Sequence, residues 1–202
     1  MEVFFMSKSL KTVRIMTFMA LYAALTIVLD YARESIPFTS VWANGGSIDI
    51  SLIALVFASV HLGWKLGIVT SLLEFLVSIA FGATKLYFAP YSAALGFMCD
   101  YIIPIVIMGM ASIFMKKDET MFRNIIRLEI GIALCMIIRM LSQVISGVYC
   151  WTEAADIGTA AAWALSLEYN LGYGIPTMIM LLIVMPVVCR AFMPLIEKRY
   201  KL

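Results

Sequence analysis

The chain has 202 residues, of which 63% are hydrophobic and only 14% are charged, with a formal net charge of +2. Soluble domains carry roughly 45–50% apolar and about 25% charged residues, so this composition excludes an ordinary soluble protein. The small net charge, without a basic or acidic tail, gives no support to nucleic-acid binding. The composition predicts an all-α integral membrane protein with a single domain over residues 1–202, surrounded by membrane lipid.

Six stretches of the chain are apolar enough to be membrane spans, for which a helix needs about 20 residues. They cover residues 12–30, 48–62, 66–82, 88–115, 124–150 and 160–190. The second stretch is short, and a tight turn at His61–Lys65 separates it from the third. His61, the only histidine in the sequence, is expected to be solvated or interfacial rather than a ligand.

The basic residues fall mostly on one side of these spans. Arg33 and Lys85 lie on the other side, and Arg139 lies within the fifth span. The remaining twelve are Lys8, Lys11, Arg14, Lys65, Lys116, Lys117, Arg123, Arg127, Arg190, Lys198, Arg199 and Lys201. Because loops rich in Lys and Arg stay in the cytoplasm, both termini are predicted to be cytoplasmic.

Ionisable residues also occur within or near the spans, where they usually mark a cavity or an ion pair. They are Asp49, Glu74, Asp100, Glu129, Arg139 and Glu168. The predicted orientation puts Asp49, Asp100 and Arg139 toward the outer half, beside an outer loop that contains acidic but no basic residues. This acidic half favours a cationic ligand arriving from outside. The alternative is a structural ion pair of Arg139 with Asp100 or Glu74.

Two polar stripes follow helical spacing on the fifth and sixth spans. The fifth carries Arg139, Ser142, Gln143, Ser146, Gly147 and Cys150, and the sixth carries Ser166, Tyr169, Asn170, Tyr173 and Thr177. Such stripes can be packing seams between membrane helices. The presence of arginine, amide and tyrosine side chains favours the walls of a binding cavity instead. Glu168 does not share the stripe and is expected to reach the outer interface.

Aromatic side chains crowd the same end of the predicted bundle, where an interfacial belt would also place them. Trp151 and Tyr101 stand out because each adjoins a polar stripe or a membrane carboxylate. An aromatic face beside a carboxylate suits a flat organic cation, since one good cation–π contact contributes about 0.5–2 kcal/mol.

Sequence signatures of catalysis are missing from the chain. It contains no G-x-x-x-x-G-K-[ST], no H-E-x-x-H and no G-x-S-x-G motif. The four cysteines, Cys99, Cys135, Cys150 and Cys189, are scattered and are expected to be packing residues. We therefore predict no catalytic residues, no bound metal and no enzymatic activity.

The chain resembles the thiamine-specific substrate-binding component of energy-coupling factor transporters over almost its whole length. The matching segments are Gly45–Ile50, Asp100–Tyr101, Gln143–Trp151, and Ser166–Asn170 with Tyr173 and Pro176. The resemblance implies a six-helix subunit of the bacterial plasma membrane that binds thiamine from outside with high affinity.

The resemblance also implies roles for individual residues. Asp100 would bond the aminopyrimidine of thiamine, with Tyr101 beside it, and Trp151 would stack on the thiazolium ring. Asn170 and Asp49 match further ligand positions. We add Arg139, Gln143, Ser146, Gly147, Tyr169 and Tyr173, which the stripes place on the same wall.

Two positions depart from the family pattern, which tends to have His at Gln143 and Tyr at Leu165. These departures keep open a related ligand, such as a thiamine precursor or another heteroaromatic cation. A self-sufficient secondary transporter is a third possibility.

The implied partners are a transmembrane coupling protein and two cytoplasmic ATPases, so that only the partners use ATP and this chain carries no cofactor. Small residues on the first helix, Thr17, Ala20 and Ala24, would form the docking face. The alternative for these three residues is packing of the first helix within the chain.

Overall fold

The computed structural model describes residues 2–36, 40–42, 45–84, 86–90, 92–153 and 155–200, so Lys85 lies outside the described residues. These ranges hold seven helices and one pair of strands. The helices are α1 (Glu2–Glu34), α2 (Leu52–Leu62), α3 (Trp64–Ala80), α4 (Ala93–Gly109), α5 (Met121–Trp151), α6 (Ala160–Ala191) and α7 (Met193–Tyr200). The short strands β1 (Ser40–Trp42) and β2 (Gly45–Ser47) pair antiparallel.

In the described part of the chain, three helices are long and apolar enough to cross a membrane. They are residues Leu10–Arg33 of α1, with 24 residues, and the whole of α5 and α6, with 31 and 32 residues. Helices α2 and α4 are apolar but shorter. The structure is thus that of an all-α membrane protein, while six crossings and cytoplasmic termini stay predictions.

Two predicted spans are longer than the helices that the structure contains. The second helix begins at Leu52 rather than residue 48, because the preceding residues 45–47 pair with β1. The fourth helix covers 93–109 instead of 88–115, since Pro90 precedes it and turns follow from residue 110. The hairpin was not predicted.

One residue separates α2 from α3. Gly63 adopts a φ of 95°, in the left-handed region that side chains with a Cβ rarely occupy. The turn lets the 11-residue α2 lie among its neighbours rather than run on as one long helix. Its residues Leu55, Val56 and Val60 are at most 2% exposed.

The apolar core fills one half of the bundle. Around α2 it contains Met108 of α4, Ile132 of α5, and Leu181 and Met185 of α6, all fully buried. These residues come from the C-terminal half of α4, the N-terminal half of α5 and the C-terminal half of α6, which the charge pattern predicts to be the cytoplasmic half. The opposite half of the same helices contains the polar cavities.

The prediction that His61 is solvated or interfacial was wrong. Its side chain is 6% exposed, its Nδ1 lies 2.8 Å from the Tyr22 hydroxyl, and the ring of Phe18 packs edge-on at 4.6 Å. Helix α1 covers the α2–α3 turn and thereby buries the imidazole. The four cysteines are buried and free, as expected of packing residues.

The loop before α5 is charged. The Glu119 carboxylate accepts hydrogen bonds from Arg123 at 3.2 Å and Arg127 at 2.8 Å. The bond from Arg123 is the main reason why the pKa of Glu119 is lowered. Thr120 begins α5 by accepting a hydrogen bond from the Arg123 amide, as helix N-caps do.

Candidate functional site

A cavity of about 730 Å³ lies between α4, α5 and α6. We call it the aromatic cavity. Eight of the eleven predicted binding residues line it: Asp100, Tyr101, Gln143, Gly147, Trp151, Tyr169, Asn170 and Tyr173. Parts of both polar stripes and the aromatic–carboxylate pair thus line one cavity.

Helices α4 and α5, which both line this cavity, each contain a π-helical turn. The turns cover Met98–Ile102 in α4 and Gly147–Trp151 in α5. A π turn adds a residue to the helical repeat and redirects the side chains that follow, and it is frequent at functional sites. It explains why Trp151 lines the cavity while Cys150, which α-helical spacing put on the stripe, is fully buried.

Asp100 lines the aromatic cavity. Its Oδ2 accepts hydrogen bonds from the Trp151 indole and from the Ser146 hydroxyl, each at 2.8 Å. Ser146, the ninth predicted residue, therefore acts on the cavity through Asp100. Among the described residues neither bond goes to Oδ1, which leaves one carboxylate oxygen available to a ligand.

Tyr101, next to Asp100, is fixed from the facing loop, because the amide of Tyr87 donates to its hydroxyl at 2.8 Å. The ring of Phe75 on α3 lies 6.0 Å from the Tyr101 ring. The side chain of Tyr101 therefore has a fixed position, and it lines both the aromatic cavity and a second cavity.

A hydrogen-bonded network orders the α6 side. The Tyr173 hydroxyl donates to Asn170 Oδ1 at 2.7 Å, and Asn170 Nδ2 donates to the Ser166 carbonyl at 2.9 Å. Ser166 in turn donates to the carbonyl of Val144 on α5. The amide of Asn170 is thus satisfied by the protein itself and is held at a fixed orientation.

The side-chain amide of Gln143 differs from that of Asn170. It lines the cavity, yet its Oε1 is buried and has no hydrogen-bond partner among the described residues. A molecule in the cavity that donates a hydrogen bond could bond this oxygen.

A second cavity, of about 490 Å³, adjoins the first through Tyr87, Asp100, Tyr101 and Tyr173, which line both. We call it the charged cavity. Five ionisable side chains from three helices and from the segment before α2 line it in addition: Asp30, Arg33, Asp49, Glu74 and Arg139. The last two predicted binding residues, Asp49 and Arg139, lie here rather than in the aromatic cavity.

Arg139 pairs with Asp49, and the two alternative partners were wrong. The distance from Arg139 Nη2 to Asp49 Oδ2 is 2.9 Å. The other carboxylate oxygen of Asp49 accepts from Ser51, and the amide of Asp49 donates to the hydroxyl of Thr177 on α6 at 3.1 Å. Asp100 is engaged by Trp151 and Ser146 instead.

Sequence reasoning missed part of the charged cavity. Asp30 was not singled out, and Arg33 was counted only for orientation. The two lie at the end of α1, 3.6 Å apart. A sequence signal could have found them, because Asp30 lies one helical turn after Thr26 within an apolar helix. The side chain of Thr26 also lines this cavity.

The residues of the predicted stripe on α5 lie in three different environments. Arg139 faces the charged cavity, Gln143 and Gly147 face the aromatic cavity, and Ser142 donates to the Cys99 carbonyl of α4 at 3.0 Å. Glu168 is exposed, in agreement with its position off the stripe.

The predicted docking residues lie on the outer face of α1. Thr17, Ala20 and Ala24 are exposed, whereas Tyr22 and Ala23 are buried against the bundle. Within the described structure, these three small residues do not pack the first helix against the rest of the chain, which was the alternative. Their docking role stays a prediction.

These features define a multi-pass membrane protein with a cavity lined by polar and aromatic side chains. The family model of the thiamine transporter protein matches residues 16–197. The thiamine transporter ThiT of Bacillus subtilis (strain 168) is 30% identical over 194 residues, covering 93% of this chain and 94% of that protein. The chain belongs to the thiamine transporter protein family. It is therefore a transport protein of the bacterial cell membrane and not an enzyme.

Proposed function

We propose that this chain is the thiamine-binding membrane subunit of an energy-coupling factor importer and binds thiamine with high affinity in the aromatic cavity. The observation that carries the proposal is the free hydrogen-bonding capacity of that cavity. Within the described ranges, Asp100 Oδ1 and Gln143 Oε1 accept no hydrogen bond, and both side chains line the cavity together with aromatic rings. The family membership supports thiamine as the ligand.

The roles of the side chains follow from the chemistry of thiamine. Its aminopyrimidine donates hydrogen bonds, which Asp100 and Gln143 can accept. Its thiazolium is a flat cation, which the Trp151 ring can bind by cation–π attraction. Tyr101, Asn170 and the remaining lining residues fix the shape of the cavity. Gly147 leaves room for the close approach of Ser166.

The proposal assigns energy coupling to partners. A transmembrane coupling protein would dock on Thr17, Ala20 and Ala24 and, with two cytoplasmic ATPases, would drive uptake with ATP. The exposure of these three residues supports this assignment. The bound chain itself needs no cofactor in this scheme.

The first test is titration of the detergent-purified chain with thiamine, followed by intrinsic tryptophan fluorescence. We expect saturable quenching at submicromolar thiamine, and weaker binding for Asp100→Asn and Trp151→Ala. Since the second variant removes one of the four tryptophans, its affinity is measured by calorimetry. A folded protein that shows no response up to high micromolar thiamine would contradict the proposal.

The second candidate is a binding subunit for another heteroaromatic cation, such as a thiamine precursor. Gln143 and Leu165, both on the wall of the aromatic cavity, favour it because the family tends to have His and Tyr there. Competition of pyrimidine and thiazole precursors against thiamine decides between the two ligands.

A self-sufficient secondary transporter, as a third candidate, would take up ligand without partners. Liposomes that contain only this chain test that candidate. We expect no net uptake from them, with or without ATP, until the coupling protein and ATPases are added. Thiamine flux through the chain alone would overturn the assignment of energy coupling to partners.

A further inference from the structure

The hydrogen bond that Ser146 donates to Asp100 comes from outside the aromatic cavity. Ser146 lies on α5, directly before the π-helical turn Gly147–Trp151. Its side chain is fully buried, and it does not belong to the described residues that line either cavity. The Ser146 hydroxyl can therefore affect a ligand in the aromatic cavity only through Asp100.

Ser146 and Trp151 bond the same oxygen of Asp100. The Ser146 hydroxyl and the Trp151 indole both donate to Oδ2, each at 2.8 Å. Two donors on one oxygen fix the rotation of the carboxyl group about its bond to Cβ. Trp151 is 43% exposed and lines the cavity, so an entering ligand contacts its ring. The buried serine supplies the bond that the ligand does not reach.

A close approach of α4 to α5 makes the Ser146 bond possible. Gly96 is buried on α4, one helical turn before Asp100. A Cβ at position 96 would lie 3.8 Å from Ser146 Oγ, 3.6 Å from Cys150 Cβ and 2.7 Å from Ala89 Cβ. Carbon atoms in contact prefer separations of about 3.5–4.0 Å. A larger residue at position 96 would therefore have to displace a neighbour and move α4 relative to α5 or to the loop that contains Ala89.

A second buried serine on the same face of α5 has a different partner. Ser142 lies one helical turn before Ser146 and is 6% exposed. Its hydroxyl donates to the backbone carbonyls of Cys99 and Arg139, at 3.0 Å and 2.8 Å. Ser142 thus holds backbone, whereas Ser146 holds the carboxyl group that lines the aromatic cavity.

We propose that Ser146 and Gly96 are positioning residues for the ligand, a role that rests on the proposed thiamine site. Gly96 admits α5 beside α4, and Ser146 then holds Asp100 so that Oδ1 is presented to the ligand. Without the Ser146 hydroxyl, the carboxyl group gains rotational freedom that ligand binding has to remove again. Part of the affinity therefore comes from preorganisation by residues that the ligand does not touch.

The test measures thiamine affinity by calorimetry on the detergent-purified full-length chain. Ser146→Ala should raise the dissociation constant about five- to tenfold, the size expected for ordering one side chain on binding. Ser142→Ala, the matched control, removes a buried hydroxyl one turn away and should change the dissociation constant less than about twofold. Gly96→Ala keeps every hydroxyl but separates the helices, so it should weaken binding at least as much as Ser146→Ala.

A double-mutant cycle separates positioning from a general structural effect. In an Asp100→Ala background the acceptor is absent, so adding Ser146→Ala should change the affinity by less than about twofold. An equal five- to tenfold loss in both backgrounds, or wild-type affinity of folded Ser146→Ala, would overturn the role of Ser146. Wild-type affinity of folded Gly96→Ala would overturn the role of Gly96.

Two further outcomes are distinguishable. Should Ser146→Ala not fold, Ser146→Cys tests the same bond, because a thiol is a weaker donor and should lower the affinity in the same direction. Failure of wild-type protein to bind thiamine would refute the proposed function itself. Normal binding by the wild type together with equal binding by the Ser146 variants would refute only the positioning role.

Discussion

The two cavities share a wall but differ in how far their polar groups are paired within the protein. In the aromatic cavity, Gln143 Oε1 and Asp100 Oδ1 accept no hydrogen bond from the part of the chain that the structure describes. In the charged cavity, Arg139 pairs with Asp49 and Arg33 lies beside Asp30, whereas Glu74 has no ion pair among the described residues. Polar groups that the protein pairs internally contribute to stability, and those it leaves unpaired are available for binding. Variants of the paired groups should therefore change mainly the stability of the protein, and variants of the unpaired groups mainly its affinity for the ligand.

The largest effect is expected on stability, from Arg139→Met in the charged cavity. Removing one partner leaves Asp49 buried without its counter-charge, which should lower the free energy of unfolding by about 3 kcal/mol. Adding Asp49→Asn should restore most of the loss. Thermal denaturation in detergent measures both. Arg123→Met, whose side chain is 69% exposed, is the control and should change little. Near-wild-type stability of Arg139→Met would remove the distinction between the cavities.

Asp100→Asn should produce the largest effect on binding. Hydrogen bonds to a charged group contribute about 1.5–3 kcal/mol, so the dissociation constant for thiamine should rise on the order of 100-fold. Calorimetry measures the affinity, and Asp118→Asn in the exposed loop before α5 is the matched control. If both variants bound alike, Asp100 would not be the anchor of the ligand.

Gln143→Met should separate binding from stability most clearly. The change removes an acceptor that has no partner among the described residues. Thiamine affinity should fall by roughly fivefold, because one neutral hydrogen bond to the ligand is lost. The melting temperature should stay equal or rise. Asn170→Leu serves as the contrast, because that amide is satisfied and its loss should lower stability too. A destabilised Gln143→Met protein would show that the amide has a structural partner.

The smallest effect is expected for Trp151→Phe. It keeps an aromatic face and removes only the indole N–H that holds Asp100. Affinity should fall by about threefold, and the alanine variant should lose more because the cation–π contact also disappears. Trp163→Phe, which packs on Tyr149 outside the cavity, controls for the loss of indole. Equal losses in the phenylalanine and alanine variants would exclude stacking.

The sequence itself predicted many of the residues that line the aromatic cavity, though not Tyr87 or Thr152. Helical spacing in the apolar spans put Gln143, Gly147, Asn170 and Tyr173 on inward faces, and the structure brings them together. Spacing alone could not decide between Cys150 and Trp151, because that depends on a π-helical turn. Nor could it reveal the hairpin at 40–47 or the burial of His61, since both depend on what packs nearby.

Composition and local periodicity determined that this is a helical membrane protein with polar stripes, because burial in lipid requires apolar helices and leaves ionisable residues only inward positions. The resemblance pointed to the family. Which charges pair was decided by the tertiary structure alone. Asp49 and Arg139 are ninety residues apart in the chain, and Asp30 and Glu74 reach the same space from two further helices. Partners so distant in sequence are selected by packing, about which the spacing within a single helix carries no information.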